Sequence, residues 1–457
     1  MKAAVIATVI LNSSFCIFNS LHAAVIEQVI VRQQWPWSTD VKVEYKLAGV
    51  TSPVDISVKA FNGNEELPLP AAAISGDLYG IAESGIGQFV IDPVKAFGNE
   101  RIAIADFRVE LEATESAANI NEVVYKIFCL TNATCTDITK KEILNGKYGS
   151  YETDYSKFGS GFTTPWSDVV VWTAVTNDLK YMTTHLVMRK IPATNQVWQI
   201  GGSSGFSQHW VKLTEEYFIG VFPVTVEQDR LMVGGAAPSA PLTESDALPK
   251  GSMNIVVTRG TRTPGSNVSL MSMKNKEPVF WPTNSYVHDL CANYSLGKMR
   301  NKFKIDFDLP SDAQWEVACR AGTVGNVLYN GKAIGVAANV YELGWINSNS
   351  SSTLRRVGLK APNPFGLYDL YGSVAELTPC LNTADQTDRG DTEDNPRVDP
   401  ISARGGDDHI IKRGGAVDLD ISWANSSARN GWFGWTEYKD FVGYRVVIPA
   451  GKTTWNQ

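Results

Sequence analysis

Few side chains in this sequence are of the types that carry chemistry, and their spacing narrows the options further. Beyond residue 24 the chain holds the cysteines Cys129, Cys135, Cys291, Cys319 and Cys380 and the histidines His185, His209, His288 and His409. None of them stands at a spacing that closes a zinc site. No nucleophile elbow or phosphate loop occurs. Cys129 and Cys135, in "CLTNATC", flank a turn-forming Asn-Ala and are expected to close a local disulfide, with two unpaired thiols as the alternative. The stretch "IKRGGAVDLDISWANSSARNGWFGWTEYKDFVGYRVV", Ile411 to Val447, contains no cysteine. It carries Asp418, Asp420, Trp423, Asn425, Asn430, Trp432, Trp435 and Tyr438. Aromatic rings give wide contact area at small entropic cost, and Asn and Asp give adaptable hydrogen bonds, so this is the chemistry of a binding surface. The bland reading is that the Trp rings pack the domain core.

Several elements are expected to position these residues. Residues 1–24, "MKAAVIATVILNSSFCIFNSLHAA", combine Lys2, an apolar run and small residues near Ala23, which reads as a secretory signal and an exported protein, periplasmic, cell-surface or extracellular. No later apolar run reaches the roughly 18 residues of a membrane span. The formal net charge of −7 speaks against nucleic acid as a partner, because phosphate contacts need a basic face. From 25 to 115, period-two runs such as "DVKVEYKL" and "RIAIADFRVEL" alternate with turn clusters, which predicts a small all-β, fibronectin- or immunoglobulin-like sandwich. Residues 116–184 read as a connector with strands.

From 185 to 450 helices and short strands mix in an α+β pattern. Thr225 with Gln228, and Ser311 with Gln314, are capping boxes. Gly234 and Gly322 are the expected helix stops, and a third short helix is expected in "TNSYVHDLCANYSLG". Trp315, Ala318 and Cys319 share one helical face. The acidic loop from Asn382 to Pro400 reads as a solvated run.

Six ordered stretches of this region resemble the formylglycine-generating enzyme, or sulfatase-modifying factor, family, a variant of the C-type lectin-like fold. They are "LVMRKIPATNQVWQIGG", "HWVKLTEEYFIGVFPVT", "EPVFWPTNSYVHDLC", "LPSDAQWEVACRAG", "PNPFGLYDLYGSVAEL", and the pair "IKRGGAVDL" and "VGYRVV". Family enzymes oxidise a substrate cysteine with oxygen, using two cysteines shortly after an Arg-Gly-Gly-Ser motif. Soft thiolates suit Cu(I) there. Here that motif reads Arg413, Gly414, Gly415, Ala416, and the two cysteine positions fall near Leu419 and Trp423. The resemblance therefore implies a fold without its copper pair, and no copper is expected.

It also implies calcium held by oxygen donors at two sites, one matched by Asn339 and Val340 and the other by Ser373 and Glu376, although Ser373 stands where the family has Asn; one retained ion is expected, with none as the alternative. Asp369 and Glu376 lie in the same motif, so calcium binding or strand-end hydrogen bonding is expected of them rather than acid–base work. Cys291 and Cys319 match helix cysteines that some members bridge to the C-terminal segment. Their partners would fall near Ser426 and Val446, so both thiols are expected to be buried and unbridged. His209 matches a position where members often carry His, and a hydrogen-bonding role is expected. The leading reading is an exported, non-catalytic protein that binds a protein or glycan ligand. The alternatives are a formylglycine-generating oxidase with an altered site and a structural surface protein.

Overall fold

The computed structural model describes residues 24–33, 38–98, 104, 106–158, 170–202, 207–259, 293–381, 391–400, 410–430 and 437–450. The expected signal, His288, Cys291, His409, Trp432, Trp435, the first half of the acidic loop and most of the expected third helix lie outside them. The chain divides into two compact units.

The first unit is all-β at its heart. Strands β1 (Val25–Gln33), β2 (Val41–Ala48), β3 (Val54–Asn62), β4 (Glu65–Leu67), β5 (Ile74–Gly76), β6 (Gly85–Ile91) and β7 (Phe107–Glu115) form two antiparallel sheets, in the orders β1-β2-β6-β5 and β4-β3-β7. The pleat sends alternate side chains to opposite faces. In β2, Val43, Tyr45 and Leu47 are buried while Lys46 is exposed. With Ile56, Phe89, Ile91 and Val109 they make one core shared by both sheets. A single-turn helix, α1 (Pro93–Phe97), starts at Asp92, whose carboxylate accepts from the amides of Val94 and Lys95.

The chain then passes between units. Strand β8 (Val123–Cys129) and strand β9 (Thr134–Thr139) follow. Residues Tyr125–Asp137 group with the second unit. Residues Ile138–Thr153, with helix α2 (Lys140–Leu144) and strand β10 (Tyr151–Glu152), group with the first, as does Val170–Ala174 with β11 (Val171–Trp172). The expected Cys129–Cys135 disulfide does not form, and both thiols are free. Cys129 instead turns its sulfur toward the Thr131 hydroxyl of the intervening turn, 3.2 Å away.

The second unit continues with β12 (His185–Ile191), β13 (Gln196–Ile200), β14 (His209–Leu213) and β15 (Tyr217–Gly220). The helices are α3 (Val226–Met232), α4 (Ile255–Arg259), α5 (Ser295–Phe303), α6 (Asp312–Arg320), α7 (Ala337–Val340) and, after strand β16 (Gly344–Trp345), α8 (Asn347–Ser350). Strands β17 (Tyr371–Gly372), β18 (Ala375–Leu381), β19 (Arg397–Val398), β20 (Ile410–Arg413), β21 (Val442–Gly443) and β22 (Val447–Pro449) complete it. Its sheets run β22-β15-β12-β8-β9, β13-β14-β19, β20-β18-β21 and β16-β17.

Both expected capping boxes are formed, at Thr225–Gln228 and Ser311–Gln314. At the end of α6, however, Ala321 takes the left-handed cap at φ 45°, and Gly322 follows it at φ 90°. The helix runs one residue short of the glycine, so a residue with a Cβ carries the strained turn. Helix α5 begins at Ser295, where the expected third helix was to end. The single-turn α7 and α8 carry no periodic apolar face by which the sequence would have shown them.

Candidate functional site: a charged frame beneath the C-terminal segment

Helix α6 holds the site together. All nine of its residues are buried, although Asp312, Glu316 and Arg320 are charged. Spaced four apart, these three form one stripe. On the other side Trp315, Ala318 and Cys319 are fully buried, as their spacing predicts. Burial pushes the Cys319 thiol up to about 12, so it stays protonated.

The charged stripe meets arginines brought in by the C-terminal segment. Glu316 takes Arg413 at 2.5 Å, Arg320 at 2.8 Å and Arg429 at 3.3 Å, and it accepts from the Gly201 amide at 2.7 Å. Asp312 joins Arg429 at 2.7 Å and Arg413 at 3.1 Å. Burial by itself would raise the Glu316 carboxyl. The guanidiniums of Arg413, Arg320 and Arg429 outweigh it and hold the group well below the usual carboxylate range.

The same arginines organise the backbone. Arg413 donates to the carbonyls of Ala428 and Ser426, and Arg320 donates to the Ser427 hydroxyl at 2.7 Å. Asn425 accepts from the amides of Ser427 and Ala428 and donates to the Ser422 carbonyl. The Gly pair of the motif has a steric cause. Gly414 lies at φ 87°, and a Cβ there would come within 2.7 Å of the Leu370 carbonyl. Gly415, at φ 77°, leaves room for the backbone at Trp423 and Ala424.

A second buried pair ties the last strands in. Glu376 accepts from Trp315 Nε1 at 2.7 Å and from Arg445 at 2.9 Å. Arg445 also donates to the carbonyls of Gly220, Val221 and Tyr368. The Gly-Tyr-Arg end of the motif is thus a clamp between three parts of the unit. Asp369, beside this clamp, is fully buried, and burial pushes its carboxyl up to about 6. It accepts from the Gly358 amide at 2.7 Å.

Of the residues expected to face a ligand, Asp418, Asp420 and Tyr438 are exposed, and Trp423 and Asn430 are half-buried. Asn425 is fully buried and serves the loop's own hydrogen bonds, which corrects its expected place on the surface. The physical reason is that the side-chain amide satisfies three backbone groups of its own loop. Asn430 exchanges backbone hydrogen bonds with Lys412 at 3.0 Å each way. Burial pulls the Lys412 ammonium down to about 8. Trp432 and Trp435 lie outside the described residues.

The expected calcium ligands are engaged within the fold. Glu376 faces a guanidinium, so a cation does not fit beside it. Ser373 sits in the left-handed region at φ 63°, where Asn is favoured, and its role is in the backbone: its amide donates to the Trp345 carbonyl. Asn339 donates to the Ala333 carbonyl, and the Val340 carbonyl accepts from the Leu343 amide. Among the described residues, no three His, Cys, Asp or Glu side chains gather as a metal-binding group. His209 is buried, and its Nδ1 lies 3.0 Å from the Ser207 carbonyl. The charged stripe of α6 escaped sequence reasoning; its i, i+4 spacing alone could have pointed to it.

This architecture defines a mixed domain in which short strands and loops hang on one buried helix. Residues 185–450 match the family described as sulfatase-modifying factor enzyme 1-like domain, and the chain belongs to that family. No curated protein matches. Solved structures similar to it include variable protein 1 of Treponema denticola, at 22% identity and TM-score 0.41, covering 58% of this chain and 95% of that one. PvdO from Pseudomonas aeruginosa has 18% identity and TM-score 0.39 over 58% and 94% of the two chains. CarF has 15% identity and TM-score 0.33 over 57% and 98%. No helix among the described residues is long and apolar enough to cross a membrane.

Proposed function

We propose that the protein is an exported, non-catalytic member of this family, which binds a protein or glycan ligand through residues drawn from Asp418, Asp420, Trp423, Asn430, Trp432, Trp435 and Tyr438. One observation carries the reading. The buried arginine–carboxylate frame consumes Asn425 to Arg429 and leaves Asp418, Asp420, Trp423, Asn430 and Tyr438 toward the surface. A binding face works best when rigid elements hold it, because less ordering entropy is lost on association. The cysteine chemistry of the family's enzymes argues the same way. No cysteine follows Cys380 in the sequence. Copper(I) in those enzymes is held by a thiolate pair, and the matching positions here, near Leu419 and Trp423, carry no cysteine.

The test uses the full chain on arrays of glycans and of exported proteins. A Trp423→Ala/Tyr438→Ala variant and a Trp432→Ala/Trp435→Ala variant should each lose more than about tenfold in affinity for whatever binds. Unchanged binding in both variants removes the proposed face. Copper loading and incubation with a sulfatase-motif peptide test the oxidase alternative, and measurable formylglycine would overturn the non-catalytic reading.

A further inference from the structure

A groove of about 430 Å³ lies well away from residues 418–438 in sequence. One wall is the β13–β14 hairpin and the other is the turn that follows α6, Gly322 to Val324, with Glu393 also lining it. That volume lies within the usual range for small-ligand sites. We propose that this groove is a subsite for a neutral saccharide, one or a few hexopyranose units, separate from the C-terminal face.

The lining chemistry makes the selection. Trp210 is half-buried on β14, directly opposite Gln199 on β13, so the two share one face of the hairpin, while Trp198 is buried on the other. An aromatic ring offers an apolar face suited to the C–H face of a pyranose, with a polar edge of amides around it. Gln196 is exposed at the hairpin's edge. Gln199 accepts from Gln208 Nε2 at 2.9 Å, which fixes its amide and leaves its NH2 group as a donor. Glu393 is exposed and adds a carboxylate, an acceptor for hydroxyl pairs.

Charge excludes the obvious competitors. Arg320 lines the groove, but its guanidinium is spent on Glu316 at 2.8 Å, the Gly325 carbonyl at 3.1 Å, Ser427 and Gly201. The exposed charge that remains on the wall is the Glu393 carboxylate, which repels phosphate, sulfate and carboxylate ligands. A ring platform, amide donors and acceptors, and no available cation among the described lining residues fit a neutral polyol.

The experiment titrates the full chain with maltotriose, cellotriose and triacetylchitotriose by calorimetry, with sialyllactose as the anionic control. At least one neutral trisaccharide should bind below about 10 mM. Trp210→Ala should weaken it about tenfold, and Trp210→Phe should restore most of the loss. Should Trp210→Ala fold poorly, Glu393→Gln alters only an exposed side chain and should still weaken binding about threefold. No heat from any of the three sugars, preference for sialyllactose, or binding indifferent to both Trp210→Phe/Ala and Glu393→Gln overturns the proposal. These residues lie outside 418–438, so the result is independent of the function proposed above.

Discussion

The two units of this chain use charge in opposite ways. In the first, the core is apolar and the ion pairs among the described residues are at the surface: Lys46 and Glu27, 2.7 Å apart, leave 56% and 43% of their side chains exposed. In the second, Arg413 and Glu316 are 2.5 Å apart, and both are fully buried. A surface pair adds little, because water already solvates both partners. A buried pair must recover a large desolvation cost through geometry, so it specifies which segments meet and penalises every arrangement that leaves one partner alone. The sandwich is therefore held by hydrophobic area. The family domain is held in one arrangement by a charge cluster that only the C-terminal segment completes.

The largest test of this contrast is Glu316→Gln, which leaves three guanidiniums around one neutral amide. It should cost about 3–5 kcal/mol in the unfolding of the second unit by denaturant. A cost under about 1 kcal/mol would place this cluster with ordinary surface pairs.

The pH dependence divides the buried carboxyls. Burial disfavours the charge of Asp369 and pushes its carboxyl up to about 6 in the folded protein. The native state binds that proton more tightly than the unfolded chain does. Its stabilising contribution is therefore present below the ordinary carboxylate pKa and is lost as pH rises from about 4 to about 6, by about 3 kcal/mol. Glu316 behaves in the opposite sense: its contribution is present above the ordinary carboxylate pKa and is lost as pH falls through and below it. Urea melts of Asp369→Asn should gain on the parent protein between pH 4 and 6. An unchanged difference across that window would show that Asp369 does not titrate there.

Helix caps sharpen the same comparison. Thr225 is fully buried, receives the Gln228 amide and donates to the Met182 carbonyl at 2.7 Å. Asp92 caps α1 in the first unit with solvent near it. Thr225→Ala should cost about 2 kcal/mol and Asp92→Ala about 0.5–1 kcal/mol, each read from the melt of its own unit. Smallest of all, Lys46→Met should change stability by less than about 0.5 kcal/mol.

The sandwich was legible because period-two alternation is local: Val43, Tyr45 and Leu47 declare their face within seven residues. The capping boxes at Thr225 and Ser311 were legible for the same reason. Which side chains of the C-terminal segment reach the surface was legible only in part. Asn425 looks like its neighbours in composition, yet it points into the loop while Asp420 faces water. Side-chain direction in an irregular loop has no period to read. The Cys129–Cys135 disulfide was misjudged for a related reason: sequence proximity does not set the directions of the sulfur atoms.

The sequence by itself determined the capped helices, the alternating strands and the family they belong to, because caps, alternation and glycine-bounded motifs are set by neighbours along the chain. Only the tertiary structure decided what the charged residues do. Glu316 is separated from Arg413 by 97 residues and from Arg429 by 113. Their pairing depends on a desolvated space that does not exist until α6, β20 and the loop after it have closed together.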